Sequence, residues 1–425
     1  MNRGSLLIKG GRLVDPSLGL DALRDVRITG GIVYEIGERL EAHDGEAVLD
    51  ASNAIVAPGL VDMHVHLREP GFSEKETIAT GTEAAVRGGF TTVACMPNTQ
   101  PALDEPRVLS DLLQNVSANA RCAVYPVAAI TRGRLGVAPV DFAALSRAGA
   151  VAFSDDGTTV ADARVLRDAA LAALDVEGAF ISHCEDDALK ADGIMNEGAV
   201  SRALGVPASP ALAEDVIVAR DLLIAGDTAK IWHLAHLSTA TALGLLLQAR
   251  ARGVRASCEV TPHHLTFTDE TVRELGGGGK VNPPLRTEDD VRALRAGVRD
   301  GTIDVFATDH APHTPEEKSA DLGRAAAGFS GLEIAVGAYA AAIPDLPLLR
   351  FVALLSTNPA RILGVPGGTL VVGSPGDVTI FAERPWVVDP ARFASNGRST
   401  PFAGRTLPRR VLATIVGGTV AYAES

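Results

Sequence analysis

The chain has 425 residues, 46% hydrophobic and 21% charged, which excludes a disordered or fibrous protein and supplies material for a large core. The net charge of −13, from 39 basic and 52 acidic residues, shows no basic excess or stripe of the kind a nucleic-acid partner needs. No apolar run approaches the ~18 residues of a membrane helix, and Lys9, Gly10 and Arg12 break the apolar N-terminal run that a signal peptide would require, so a cytoplasmic enzyme is expected.

Residues 5–57 carry short β-branched runs separated by glycine and aspartate turns. Leu6-Leu7-Ile8 precedes Gly10-Gly11, and Val26-Arg27-Ile28 precedes Gly30-Gly31. Eight strand candidates then follow: Leu60–Leu67, Thr91–Met96, Ala123–Ile130, Val151–Ser154, Ala179–His183, Lys230–Leu237, Val254–Val260 and Asp304–Thr308. Stretches with helical spacing lie between them, among them Glu74–Arg87, Asp162–Leu174, Ala213–Leu223 and Glu288–Val298. Eight strand-then-helix units predict an α/β fold of the (β/α)8 barrel type over residues 58–365. Residues 366–425 return to the texture of the start, with Thr369–Val372, Asp377–Phe381 and Val411–Val416 as strands. The two ends, 1–57 and 366–425, are expected to form one small β-sandwich domain.

Several features are set aside. Gly276-Gly277-Gly278-Gly279-Lys280 suggests a P-loop, but Val281 stands where Ser or Thr would meet magnesium and no helical pattern follows at once, so a flexible loop is expected. Cys95, Cys122, Cys184 and Cys258 lie far apart without CxxC spacing, against a disulfide framework or a thiolate metal site. Lysine supplies only 6 of the 39 basic residues.

In a barrel of this kind the chemistry belongs at the C-terminal ends of the strands. Strand alternation places Asp62, His64 and His66 on the inward face of the first strand and turns Val61, Met63, Val65 and Leu67 toward the helices. Asp155-Asp156 after strand four, His183 ending strand five, His236 near the end of strand six and Asp309 ending strand eight complete a set of nitrogen and carboxylate donors. That mix suits zinc, with manganese or cobalt as alternatives. His43 is expected in solvent, His233 and His310 facing away from the site, and His263-His264 supporting a loop.

These residues carry a family resemblance. Asp62-Met63-His64-Val65-His66-Leu67-Arg68-Glu69-Pro70-Gly71 resembles the signature of dihydroorotases, in the amidohydrolase superfamily. Met96–Thr99, Ser154–Gly157, His183–Asp186, Asn196–Gly198, His236–Thr239, Lys280–Arg286 and Ala307–His313 resemble the same family in the same order, over nearly the whole chain and in the manner of its longer bacterial type.

The resemblance implies a cytoplasmic enzyme of pyrimidine biosynthesis that hydrolyses and re-forms the cyclic amide of dihydroorotate. It implies two zinc ions per subunit. His64, His66 and Asp309 would hold one, His183 and His236 the other, and a strand-four group would bridge them. Many superfamily members bridge with a carbamylated lysine. Here no lysine lies between Lys75 and Lys190, so Asp156 takes the place, with Asp155 second. Asp309 would move the proton. Arg68 and Asn98, with His313 as a third contact, would hold the substrate carboxylate; His66, Asn282, Ala327 and Gly328 would also line the substrate site. Ala326-Ala327 depart from the Pro-Phe pair common before that glycine. A homo-oligomer is implied, with aspartate carbamoyltransferase as a partner of some members. The alternatives are another cyclic amidase (a hydantoinase, dihydropyrimidinase or allantoinase) and a silent scaffold subunit for that carbamoyltransferase.

Overall fold

The protein is described from a computed structural model, over residues 4–319 and 321–424. Met1–Arg3 of the N-terminal run, Ala320 and Ser425 lie outside the described residues. Eight parallel strands, Leu60–Val65, Phe90–Cys95, Ala123–Ala128, Ala152–Ser154, Phe180–Ser182, Trp232–Leu234, Ala256–Val260 and Val305–Phe306, pair in sequence order. The ring closes where Val65 bridges His310 in parallel and the His66 N–H donates to the His310 carbonyl at 2.9 Å. Helices Ile78–Arg87, Pro106–Asn119, Phe142–Arg147, Ala163–Ala172, Leu212–Thr228, Ala240–Ala251, Glu288–Asp300 and Ala335–Ala342 follow successive strands, giving the (β/α)8 arrangement.

Local chemistry sets where the helices begin. The Thr77 hydroxyl caps the first and exchanges bonds with Thr80, which places the start at Ile78 rather than Glu74. Asp162, Thr239 and Thr287 cap three others. The strands are shorter than expected because their last residues turn out of the ladder to face the barrel mouth.

The first strand departs from simple alternation. Asp62 pairs with Val93 and Val65 with Cys95, three steps against two, so one extra residue is inserted there. Val61 and Met63 consequently pack with Val127, Ile181 and Val305 inside the barrel, and only Val65 and Leu67 pack with helix residues such as Ile78 and Ala84. Asp62 leaves the inward face. Its carboxylate accepts the Thr308 N–H at 3.2 Å and the His64 N–H at 3.1 Å, and burial pushes it up to about 7. Asp62 thereby ties the backbone of the first strand to that of the eighth.

Ala360, Leu363 and Val365 complete this interior cluster. They enter at the strands' N-terminal ends, where Ser356 Oγ donates to the Gly59 carbonyl and Asn358 Nδ2 to the Asp304 carbonyl. The floor of the barrel is therefore apolar and sealed.

Two further sheets share a core of Leu6, Ile8, Val26, Ile28, Val56, Val378, Ile380 and Ile415. In one of them Ile55–Pro58 pairs antiparallel with Val378–Ala382, which joins the two ends of the chain. Thr369–Val372 is not a strand. Its backbone turns, Val371 N–H bonding Thr369 Oγ1, while Leu370 is buried and its N–H is taken by Asp15. Between Val378–Ala382 and Arg410–Val416 the chain leaves the sandwich and crosses the barrel mouth. There Phe393, Phe402 and Leu407 pack on Phe267, Phe329 and Ile334, and Ser330 bonds the Gly397 and Ser399 carbonyls.

Leu363→Ala should cost about 2–5 kcal/mol of unfolding free energy in urea melts, as for other buried leucines. It should leave metal content per subunit unchanged, because the cluster lies below the site.

Candidate metal centre and substrate cleft

Five strand ends deliver His64, His66, Asp156, His183, His236 and Asp309 to one buried volume. The ligand atoms of His64, His66 and Asp156 lie together, and so do those of Asp156, His183 and His236; Asp156 belongs to both groups. Its Oδ1 lies 3.3 Å from His64 Nε2, 3.7 Å from His183 Nδ1 and 3.8 Å from His236 Nε2, and its Oδ2 lies 3.6 Å from His66 Nε2. Asp309 Oδ1 is 3.1 Å from His66 Nε2 and 3.6 Å from His64 Nε2.

His64 Nε2 and Asp156 Oδ1 are buried without a hydrogen-bond partner, and the nitrogens of His183 and His236 face each other at 3.0 Å. Unmatched donor atoms converging in this way fit a cation, and nitrogen with carboxylate oxygen suits a divalent ion of intermediate softness. Burial alone would raise both carboxyls. The surrounding imidazoles, His64 foremost, instead hold Asp156 well below the usual carboxylate range, and His66 with its neighbours holds Asp309 at about 2. Both are buried charged side chains compensated by this cluster, with Arg68 near both and Arg134 near Asp156.

The rings are aimed by partners behind them. Glu259 lies 2.5 Å from His64 Nδ1, so Nε2 faces the cluster. Its second oxygen is 3.1 Å from His233 Nε2, and its first also accepts the His236 N–H at 3.2 Å. Asn98 Oδ1 lies 2.9 Å from His66 Nδ1. Asn282 Nδ2 and Glu185 flank His183 Nε2, at 3.2 and 3.5 Å, and Lys190 bonds the same Glu185. Arg68, His236 and Asp309 hold positive φ, at 63°, 30° and 47°, strained backbone of the kind that clusters at functional sites.

Asp155 is turned away from this volume. Its carboxylate takes the backbone N–H of Ile130 and Thr131 and the Thr131 hydroxyl, which fixes the end of strand three. Asp156 is the strand-four carboxylate that reaches both groups.

A cleft of about 230 Å³ opens above the cluster. Its wall contains His66, Arg68, Asn98, Asn282, His313, Ala327 and Gly328, the complete set expected around a substrate, together with Gly157 and Ala311. Arg68 Nη2 reaches His313 Nε2 at 3.3 Å, and burial lowers both groups. Gly328 has φ of 142°, and a Cβ there would stand 2.6 Å from the Ala311 carbonyl, so this wall requires glycine.

Of the remaining histidines and the glycine run, some behave as expected and some do not. His233 does not face away, because strand six stops at Leu234 and the left-handed turn at His236 brings both histidines inward. His310 stands outside both ligand groups and bonds Glu76. His264 supports a loop through the Pro283 carbonyl, and His43 is exposed. The Gly276–Gly279 run is a packed 3-10 turn rather than a free loop, with Gly277 and Gly279 buried. Glu259, Glu185 and Arg134, whose Nη2 holds the Asp156 carbonyl at 2.7 Å, were not singled out from sequence. A buried Glu in the apolar run Val254–Val260 was the available signal for Glu259.

The family model for dihydro-orotase-like proteins matches residues 53–242. A dihydroorotase of Pelotomaculum thermopropionicum is 51% identical over 98% of both chains, and one of Citrifermentans bemidjiense is 45% identical over 98% of this chain and 99% of its own. Among solved structures, an L-hydantoinase (dihydropyrimidinase) from Arthrobacter aurescens superposes with a TM-score of 0.87 at 23% identity, over 98% of this chain and 95% of that one.

Glu259→Gln keeps the shape of the side chain but removes the charge behind His64 and His233. It should weaken metal binding about 10–100-fold, as loss of such supporting partners does, read by competition with a chelator on the folded protein.

Proposed function

The chain belongs to the dihydroorotase family, and we propose that it hydrolyses (S)-dihydroorotate to N-carbamoyl-L-aspartate and catalyses the reverse ring closure in de novo pyrimidine (UMP) synthesis. The observation that carries this reading is the cleft wall. A guanidinium (Arg68), an amide (Asn98) and an imidazole (His313) converge beside the ligand cluster, and a planar fork of this kind matches a carboxylate in two-point fashion. Hydantoin and dihydropyrimidine rings carry no such carboxylate, and the likeness to hydantoinase structures reaches only to the fold.

Two zinc ions fit the paired clusters. His64, His66 and Asp309 would hold one, His183 and His236 the other, with Asp156 as the bridge. When bound, they supply a water of lowered pKa and polarise the amide carbonyl. Asp309 stands outside the two closest ligand groups but lies beside His64 and His66, is ionised, and lines the cleft. It accepts the proton of the attacking water and passes it to the ring nitrogen as the C–N bond breaks and the C–O bond forms. Arg68, Asn98 and His313 hold the carboxylate. Asn282 faces the ring amide, and His66 and the Ala327–Gly328 backbone bound the ring. With every ligand position filled, a silent scaffold has no observation in its favour.

In the same proposal, residues 1–57 and 366–425 form one composite domain and 58–365 the catalytic barrel. The protein works in the cytoplasm as a homo-oligomer, and aspartate carbamoyltransferase is the partner to test by co-purification. Among the described residues no helix is long and apolar enough to cross a membrane.

The test is hydrolysis of dihydroorotate, hydantoin and allantoin by one preparation, with metal analysis of the same sample. Turnover of dihydroorotate alone supports the reading, and turnover of hydantoin alone overturns it. Asp309→Asn should lower kcat by at least about 100-fold with the circular dichroism spectrum retained. Arg68→Ala should raise KM for dihydroorotate roughly 10- to 100-fold, since it removes a charge-assisted contact present in ground and transition states alike.

A further inference from the structure

The helical turn Pro315–Ser319 touches three of the other segments that wall the cleft. Its Glu317 Oε2 lies 3.0 Å from His313 Nδ1 and accepts the Thr314 N–H at 3.2 Å. Oε1 of the same carboxylate pairs with Lys75 Nζ at 2.7 Å. Lys75 sits seven residues after Arg68, in the loop that leaves the first strand, and that loop folds back on itself through Phe72, whose N–H bonds the Arg68 carbonyl and whose carbonyl takes the Lys75 N–H. The next residue, Lys318, donates to the Lys280 carbonyl at 3.0 Å and to the Ala326 carbonyl at 2.9 Å, which anchors the segments carrying Asn282 and Ala327–Gly328.

We propose that Glu317, with Lys75, is a positioning residue for the substrate carboxylate: it fixes the His313 ring from behind and latches the Arg68 loop beside it. This rests on the dihydroorotate reading given above. The geometry is specific to that task. With Nδ1 engaged by Glu317, Nε2 is the ring nitrogen on the cleft side, 3.3 Å from Arg68 Nη2 and hydrogen-bonded to the Ala327 carbonyl at 3.0 Å. Two groups meant to grip one carboxylate come from loops about 245 residues apart in sequence; Arg68 Nε donates to the Pro312 carbonyl at 3.2 Å, and Glu317 ties the same two loops a second time through Lys75. Burial would raise its carboxyl, yet Lys75 and His313 hold it at about 2, so the latch is charged at every working pH. Burial and Arg68 lower His313 to about 4, and the Glu317 hydrogen bond opposes that lowering.

Four variants of the metal-loaded protein test this. Glu317→Ala and Lys75→Met should each raise KM for dihydroorotate, by about tenfold for Glu317→Ala, with kcat and metal content held. Lys75→Arg keeps the ion pair and should retain the wild-type KM. The double variant Lys75→Met with Glu317→Ala should be no worse than Glu317→Ala alone, because the latch is already open. Lys75 is a partly exposed side chain, so its variant stays informative if Glu317→Ala fails to fold. An unchanged KM in folded Lys75→Met, or a fall in kcat with KM unmoved, overturns the inference while leaving the dihydroorotate reading standing. A wild-type protein inert toward dihydroorotate overturns the functional reading first.

Discussion

A carboxylate buried among four imidazoles is the constraint around which this molecule is arranged. Taking Asp156 out of water without compensation would be prohibitive. Compensation must come from groups on the first, fifth and sixth strands, none of them adjacent to Asp156 in the chain. The barrel brings those strand ends to one side, and each ring must then be turned so that a nitrogen, not a carbon, faces inward. Glu259, Asn98 and Glu185 do the turning. The apolar floor of Val61, Met63 and Leu363 keeps water from the other end. Asp62 and Asp155 are spent on backbone, one joining strands one and eight, the other ending strand three. Five acidic residues of the barrel thus have separate tasks, and their environments rather than their chemistry separate them.

Much of this is legible in the chain. Eight alternating units give the barrel, and ligand-type residues at strand ends give the cluster, because both depend on local period and residue type. What is not legible depends on departures from period. The inserted residue in the first strand moves Met63 inward and Asp62 outward, and no count of alternating residues reveals an insertion. The left-handed turn at His236 places it beside Asp156 and leaves His233 in the same network, where simple alternation would part them. Long-range partners escape for a different reason. Glu259 meets His64 across 195 residues, and Glu317 meets Lys75 through loops whose courses are set by the whole barrel. Thr369–Val372 looks like a strand from its β-branched residues, but its hydroxyl bonds its own backbone and competes with a ladder.

The sandwich and the barrel are less independent than their sequence textures imply. Residues 383–409 leave the sandwich to lie against Phe267, Phe329 and Ile334, and Ser395 and Asn396 bond Glu76, which also bonds His310 beside Asp309. Gly397 comes so close to Pro312 that a Cβ would stand 2.5 Å away. Residues 383–409 are therefore part of the wall behind His313, and the strand pairing at Ile55–Pro58 anchors the sandwich from which they extend.

That placement has a consequence for how the protein is made. Synthesis proceeds from the N-terminus at roughly 5–20 residues per second, so Ser395 follows His64 out of the ribosome by something on the order of 20–60 seconds. Throughout that interval the histidines of the first, fifth and sixth strands emerge while the segment that will back the mouth does not yet exist. A nascent chain of this design meets dissolved ions before its entrance is walled, and residues 383–409, translated after every strand of the barrel, are the ones that finish the vestibule.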